Sequence, residues 1–336
     1  MKLYIGYIIT PNTFVSGLSN GVRSQALQYK KALEKLGHKV ELINSWDIYD
    51  LNSFDIVHIF GSGSFLSQLI PDLFRKKIKI VLSPILDTNE SSILIRLKSY
   101  LGIKKINLHN NFSSLRSLDS LITGYMCRSE YEFNIVKKGF AVKKNKIGIV
   151  PVGHEKTTSE IDLSQKEPFC LHVSSLYQER KNVIRLIRAA STSKIKLKLV
   201  GSTGNKAQQA KLKQVVEQNP NVELIGFVSE EELISLYKRA KCFALPSLME
   251  GVGIVALDAA SYGCEVVLTK RGGPKEYFRD LAHFVDPLSI KSIKKGLEAG
   301  MKSNFQPGLK DYIYTQYSET MVVEKLLSYY FEIINR

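Results

Sequence analysis

The chain has 336 residues, of which 44% are apolar, and its 47 lysines and arginines against 32 acidic residues give a formal net charge of +15. This length suits two ordinary domains, and the absence of any run of about 20 apolar residues predicts no transmembrane helix. The start, Met1–Ile5, runs into a strand pattern without the parts of a signal peptide, and four scattered cysteines fit a reducing cytosol.

The excess of positive charge is concentrated in the first half of the chain. Residues 1–150 contain 21 basic and 11 acidic residues, an excess of 10, and the remaining 26 and 21 add 5 to reach +15. Such a surplus attracts phosphorylated substrates, anionic lipid or nucleic acid. Because the sequence contains no nucleic-acid-binding motif, we expect no nucleic-acid partner.

Short apolar segments alternate with helical patterns in the first half, which predicts a parallel α/β domain. The predicted strands lie at 2–10, 38–43, 55–61, 79–83, 121–123 and 146–153, with helices near 22–36 and 129–138. The opening strand and helix lack G-x-G-x-x-G, which argues against a nicotinamide dehydrogenase. A polar linker near 153–166 ends this domain.

The second half repeats the alternation. Predicted strands lie at 169–173, 195–201, 222–226, 241–245 and 265–269, and predicted helices at 182–190, 208–217, 229–239, after Gly253, and in the tail at about 312–334. Ser229, followed by Glu232, is typical of a helix start.

The segment from Ala244 to Gly263 holds the strongest functional signal. Gly251 and Gly253 form a tight turn before a helix, and the helix start offers N–H groups and a positive dipole end to a phosphate. Glu250 and Asp258, with seven residues between them, could accept hydrogen bonds from sugar hydroxyls. The combination suggests a nucleotide-sugar site; the alternative is two solvated charges at a helix start.

This segment resembles the E-x7-E donor motif of retaining glycosyltransferases with the GT-B fold, in family 4 (glycosyl transferases group 1). Val252 replaces the usual aromatic residue, Glu265 the proline and Asp258 the second glutamate. Weaker resemblances to family segments lie at 20–22, 37–40, 55–58 and 149–153.

The resemblance implies an α/β fold of two Rossmann-like domains whose parallel sheets face a central cleft. The first domain would comprise 1–153 plus a C-terminal helix, about 312–336, that crosses back to it. Residues 154–311 would form the donor domain.

The resemblance also implies roles for single residues. Lys181 would grip the diphosphate as the catalytic cation, unless it is an ordinary solvated lysine. Arg180 could assist it, because Ser175 stands where the family has arginine. Glu250 would contact the sugar and Asp258 the ribose. The other implied donor contacts are Gly17, Gly21, Gly201, Phe227, Val228, Gly251, Val252, Gly253 and Ile254.

Metal and acceptor sites are less defined. No carboxylate cluster such as D-x-D occurs in a suitable place, so we expect no metal and no cofactor besides the substrate. His58 and Asp87 are weak acceptor-side candidates, and His58 has a structural role as its alternative. A histidine that many members have near Asp87 is missing, which leaves the general base unassigned.

The stretch Ser91–Lys105 predicts a basic amphipathic helix. Its apolar face would consist of Ile93, Leu94, Leu97, Tyr100 and Leu101, flanked by Arg96, Lys98, Lys104 and Lys105. The helix could lie on an anionic membrane near a lipid-linked acceptor, or its apolar face could pack on the domain core.

The sequence therefore predicts a retaining, metal-independent glycosyltransferase that moves a sugar from a nucleotide-diphosphate sugar to a glycan or lipid-linked acceptor. We expect a role in cell-surface polysaccharide or glycolipid synthesis, in the cytoplasm and peripheral to the inner face of the plasma membrane. Two alternatives stay open. One is a catalytically weak GT-B partner subunit, suggested by Ser175 and the missing histidine. The other is a GT-B epimerase or phosphorylase.

Overall fold

The computed structural model describes residues 1–10, 21–44, 46–100, 111–154 and 161–336, without the side chains of 111–114. These residues divide into two units. The first unit comprises Met1–Gly153 and Glu319–Arg336, and the second comprises His154–Ser318.

The first unit is built on a parallel sheet. Within the described residues this sheet has six strands in the order β2-β1-β3-β4-β5-β6, and its neighbouring strands pair in parallel. The strands are β1 Tyr4–Ile9, β2 Lys39–Leu42, β3 Ile56–Phe60, β4 Ile80–Ser83, β5 Gly124–Cys127 and β6 Ile147–Ile149.

Helices cover both faces of this sheet. They are α1 Gly21–Lys35, α2 Leu66–Arg75, α3 Ser92–Tyr100, α4 Asn111–Leu118, α5 Glu130–Asn134, which continues as a π-helical turn Ile135–Gly139, and the final helix, which we number α13, Glu319–Ile334. Alternation along β3 explains the two layers. Val57 and Ile59 face a core shared with α2 to α5, whereas Ile56 and Phe60 face a core shared with α1 and α13.

The final helix packs on the sheet of the first unit, as the sequence implied. Gly124 and Gly148 permit the close approach, because a Cβ on Gly124 would lie 2.3 Å from Ile333 Cδ1 and one on Gly148 2.5 Å from the Tyr329 ring. The Tyr329 hydroxyl donates to the Tyr125 carbonyl at 2.8 Å. A helix near the end of the chain therefore completes the core of the first unit.

The second unit repeats the architecture. Its sheet, across the part of the chain described, has six strands in the order β12-β11-β10-β7-β8-β9, again paired in parallel. The strands are β7 Glu167–Val173, β8 Lys196–Val200, β9 Val222–Gly226, β10 Ala240–Leu245, β11 Glu265–Thr269 and β12 His283–Val285. The helices are α6 Val183–Thr192, α7 Lys206–Glu217, α8 Glu230–Arg239, α9 Ile254–Ser261, α10 Pro274–Phe278, α11 Ile290–Lys302 and α12 Gly308–Tyr317.

Some sequence predictions differ from this structure. The strand predicted at 121–123 lies at Gly124–Cys127, because Asp119–Leu121 forms a 3-10 turn. The tail is two helices, since the backbone of Ser318 is extended and pairs with His154. The first unit consequently resumes at Glu319 and not near 312. Strand β12 and the helices α2, α4, α10 and α11 were not predicted.

Capping residues define several of the remaining boundaries. The Ser229 hydroxyl accepts from the Glu232 backbone N–H at 3.2 Å, as expected for the start of α8.

Among the described residues, the helices are all too short or too polar to cross a membrane.

Candidate active site

The site is built by loops at one edge of the second sheet. Strands β11, β10 and β7 are neighbours, and their carboxyl ends meet at the same edge because they are parallel. The loop after β7 holds Lys181, the loop after β10 holds Glu250 and the loop after β11 holds Gly272. Ligands in open α/β sheets bind at this edge.

Lys181 and Glu250 form an ion pair across two of these loops. Lys181 Nζ donates to Glu250 Oε1 at 2.7 Å, and the two side chains are 13% and 7% exposed. Arg180 Nη1 lies 3.5 Å from Glu250 Oε2 and donates to the Met249 carbonyl at 3.1 Å. Lys181, Arg180 and Glu250, all predicted from the sequence as site residues, therefore lie together. Their formal charges sum to +1.

Asn182 fixes the loop that carries the two cations. Its backbone is left-handed, with φ +59°, and it directly precedes α6. Its buried Nδ2 donates to the carbonyls of Pro246 at 2.9 Å and Pro287 at 2.7 Å. The Leu248 N–H donates to the Arg180 carbonyl at 2.8 Å. These bonds tie the cation loop to the loop of Glu250.

The glycine turn places a helix start directly after Glu250. Gly253, with φ +83°, precedes α9, whose first N–H groups have no partner within the helix. Gly272 packs on the Glu250 backbone, since a Cβ there would lie 1.9 Å from the Glu250 carbonyl oxygen. The Gly273 N–H donates to that carbonyl at 3.2 Å. Backbone packing therefore holds Glu250 beside the start of α9, and helix starts can bind anions.

A buried histidine supports the end of β7. Burial, the largest influence, lowers the pKa of His172 to about 4, so the ring is neutral near pH 7. Its Nδ1 must carry the proton, because it lies 2.7 Å from the Ala244 carbonyl, which can only accept. Its Nε2 then accepts from the Ser174 hydroxyl at 2.7 Å. His172 therefore fixes the orientation of Ser174, next to Ser175.

Asp258, the second carboxylate, has a histidine partner. His154 Nδ1 lies 3.1 Å from Asp258 Oδ1, the ring is buried and the carboxylate is about one third exposed. His154 Nε2 is buried and has no hydrogen-bond partner among the described residues. The ring thus occupies space beside a side chain that is one methylene shorter than the glutamate of the family motif.

The loops after β8 and β9 are tied to the same edge. The Gly201 N–H donates to the Gly226 carbonyl at 2.7 Å, and φ +128° at Gly201 brings its backbone against Ser174. Phe227 is largely exposed beside the half-buried Val228. Val252 is buried, in the turn between Glu250 and α9.

The sequence also predicted site residues in the first unit, among them Gly17, Gly21 and His58. Gly21 is the exposed first residue of α1, whereas Gly17 lies outside the described residues. His58 is fully buried, with Nδ1 2.6 Å from the Tyr330 hydroxyl and Nε2 2.8 Å from the Ser83 hydroxyl. This geometry gives His58 a structural role in place of an acceptor contact.

Asp87 lies at the exposed rim of a polar cluster at the carboxyl ends of β4 and β5, whose other members, Arg128 and Glu132, are buried. Arg128 Nη2 donates to Asp87 Oδ1 at 2.9 Å, and Arg128 Nε donates to Glu132 Oε2 at 3.0 Å. Asp87 is about one third exposed. It therefore remains a candidate for the acceptor side, oriented by Arg128.

No group of three or more His, Cys, Asp or Glu side chains in the described ranges is placed to hold a metal ion.

Comparison with known families connects this geometry to a function. Residues 154–317 match the sequence profile of the family described as "Glycosyl transferases group 1". The second unit belongs to this family. The match covers the unit that carries Lys181, Glu250 and Asp258, almost from end to end.

Two curated relatives are also similar to this chain. An uncharacterized 41.2 kDa protein in the cps region of Klebsiella pneumoniae is 23% identical over 271 residues, 72% of this chain and 69% of that protein. The O-antigen chain mannosyltransferase B of Escherichia coli is 27% identical over 132 residues, 37% of this chain and 34% of that protein. Across the curated relatives it matches, the chain spans between 30% and 69% of their length.

Solved structures share the fold over the whole chain. Anabaena HepE, in complex with UDP and glucose, is 14% identical with a TM-score of 0.71, and the match covers 97% of this chain and 99% of that one. The two six-stranded parallel sheets, counted within the described residues, therefore form the GT-B fold that the sequence predicted.

Sequence reasoning missed three supporting residues: Asn182, His172 and His154. The left-handed backbone of Asn182 could have been suspected, since asparagine tolerates this conformation at a helix start. His172 and His154 act on residues 2 and 104 positions away. The residues around His154 in the sequence give no indication of its contact with Asp258.

Proposed function

We propose that this chain is a glycosyltransferase that moves a sugar from a nucleotide-diphosphate sugar to a glycan or lipid-linked acceptor. The observation that carries the proposal is the Lys181–Glu250 ion pair, beside the helix start after Gly253. A cation and backbone N–H groups suit a diphosphate leaving group, and a buried carboxylate suits sugar hydroxyls.

We further propose retention of configuration and independence from metal. Retention follows from the resemblance of the donor motif around Glu250. Metal independence is supported by Lys181 and Arg180, which lie together beside Glu250 and would supply positive charge to a leaving diphosphate. In this proposal Arg180 supplies the second cation that the family takes from the position of Ser175.

Cell-surface polysaccharide or glycolipid synthesis is the proposed setting. It is supported by two relatives, one named for an O-antigen chain and one for a cps region. We place the protein in the cytoplasm at the inner face of the plasma membrane, where a lipid-linked acceptor would be met.

The test begins with donor binding. A panel of UDP-, GDP- and ADP-sugars is screened by thermal shift, because a ligand at 100 times its Kd stabilises the folded state by about 2.7 kcal/mol. We expect stabilisation by one of these donors, reduced in Lys181→Ala and Glu250→Gln. NMR of the transferred product then gives the anomeric configuration.

Two outcomes would contradict the proposal. If no nucleotide-sugar stabilises the protein, a partner subunit without catalytic activity becomes the better interpretation. If a donor binds but a product with inverted configuration forms, the retaining assignment is wrong.

A further inference from the structure

Helix α3 presents most of its apolar residues to solvent, and only Ile95 of them packs in the core. Ile93 is 80% exposed and Leu97 and Tyr100 are each 56% exposed, whereas Ile95 and Ser99 are buried. Soluble proteins normally turn such a face inwards. The sequence left open whether this face packs on the core, and the structure decides that point for α3: it does not.

The geometry of the helix groups these residues. At about 100° per residue, Ile93, Leu97 and Tyr100 fall within an arc of about 60°, opposite Ile95 and Ser99. Leu94 lies about 60° beyond one margin of this arc and is 41% exposed. We name Ile93, Leu94, Leu97 and Tyr100 the outer face of α3.

Cations border the outer face on both sides. By the same helical spacing, Arg96 follows one margin and Lys98 the other. Arg96 is exposed, and Lys98 is half-buried and paired with Glu90. The Arg116 guanidinium stacks 3.4 Å from the centre of the Tyr100 ring. These four charged groups sum to +2.

We propose that the outer face of α3 docks on an anionic lipid bilayer, with its apolar side chains in the interfacial region and Arg96 and Lys98 against lipid phosphates. An apolar face framed by cations complements such a surface in both polarity and charge. The inference rests on the proposed function at one point: docking on the bilayer would bring the protein to a lipid-linked acceptor. Leu101, Lys104 and Lys105, assigned to this helix from the sequence, lie outside the described residues.

A second exposed apolar site in the first unit provides a matched control. Ile48 is fully exposed and Trp46 nearly so, in a loop braced by the Asn44 side chain, which accepts from the Trp46 N–H at 2.8 Å. This loop is acidic, containing Asp47 and Asp50. Charge complementarity therefore excludes it from an anionic bilayer.

The test is co-sedimentation of the full chain with vesicles of equal parts phosphatidylglycerol and phosphatidylcholine, compared with phosphatidylcholine alone. We expect binding to the anionic vesicles at low salt and release at high salt, because screening shortens the range of the charges. The double variant Ile93→Gln, Leu97→Gln carries glutamine at both positions, a residue with good helix propensity. It should weaken vesicle binding on the order of 100-fold, roughly tenfold for each side chain. Arg96→Gln should weaken it roughly fivefold, and Ile48→Gln should not change it.

Three results would overturn the inference: a wild type that ignores anionic vesicles at low salt, a double variant that binds like the wild type, or an equal loss in Ile48→Gln. Donor-induced thermal stabilisation is measured in every variant. If vesicle binding fails while donor stabilisation persists, the inference is wrong and the proposed function stands. If donor stabilisation fails in a wild type that binds vesicles, only the proposed function is contradicted.

Discussion

The Lys181–Glu250 ion pair allows structural and catalytic roles to be separated in one double-mutant cycle. The variants are Lys181→Ala, Glu250→Ala and the two combined. Both side chains are almost completely buried and joined at 2.7 Å, so either single change leaves a charge without its partner in a site of low polarity. Removing one member of a buried pair costs about 3 to 5 kcal/mol.

The expected magnitude lies at the lower end of that range. Lys181 retains 13% exposure, and Arg180, 3.5 Å from Glu250, can pair with that carboxylate when Lys181 is removed. We therefore expect each single variant to lose about 3 kcal/mol, a fall in Tm of roughly 6 to 12 °C for a unit of this size. The double variant should lose less than either single variant, and far less than the sum of about 6 kcal/mol, because it strands neither charge.

Catalysis should not recover with stability. Transfer should fall on the order of 100-fold in each single variant, the scale for one charge-stabilising or positioning group, and stay at least as low in the double variant. Thermal unfolding followed by circular dichroism gives the first quantity, and initial rates of transfer give the second. Arg239→Ala is the control: it breaks the exposed pair with Glu167 in the same unit, so we expect a loss below about 1 kcal/mol and normal transfer.

The result that would refute this reasoning is a double variant that regains both stability and transfer. The ion pair would then be only a structural brace, and the diphosphate would need another cation. Wild-type-like turnover in either single variant would remove that residue from the catalytic assignment.

Three further predictions address other groups. Transfer should survive excess EDTA, and complete loss restored by magnesium or manganese would contradict the metal-independent proposal. Because His172 has a folded-state pKa of about 4, below its ordinary 6.5, the unfolded chain takes up a proton that the folded chain refuses. Stability should therefore fall as pH drops from about 6.5 to about 4, by up to about 1.4 kcal/mol per pH unit. Urea titrations should show a shallower fall in His172→Gln, and equal slopes would argue against a neutral buried ring. Asp258→Glu should weaken donor binding, because the longer side chain meets the His154 ring, and adding His154→Val should restore it; simple addition of the two losses would show that the residues are not coupled.

Local sequence patterns predicted much of each sheet, because parallel strands are short apolar runs with turn residues on either side. They failed where distant contacts decide the structure. The run Leu121–Thr123 has a strand-like composition, yet β5 begins at Gly124, where the absence of a Cβ admits Tyr329 and Ile333. No window around Gly124 contains that information.

The sequence also predicted part of the candidate site. Its predictions failed where contacts between residues distant in sequence decide the structure. The motif located Lys181, Arg180 and Glu250, which the structure brings into contact. It gave no indication of His154, whose ring lies beside a carboxylate 104 residues away. It also left His58 undecided, because only the contact with Tyr330, 272 residues later, shows that the ring belongs to the core.

Three residues differ from the family motif, namely Glu265, Val252 and Asp258. The structure shows the surroundings of each of these side chains. Glu265, in place of proline, is buried at the start of β11, where Oε2 accepts from the Ser303 hydroxyl at 2.7 Å and Oε1 from the Gln306 N–H at 3.2 Å. A buried carboxylate without these donors would be costly. Val252 is fully packed where the motif has an aromatic ring, and Asp258 has the His154 ring at its shortened end. The three substitutions are therefore accommodated within the fold of the second unit, each by packing or by hydrogen bonds.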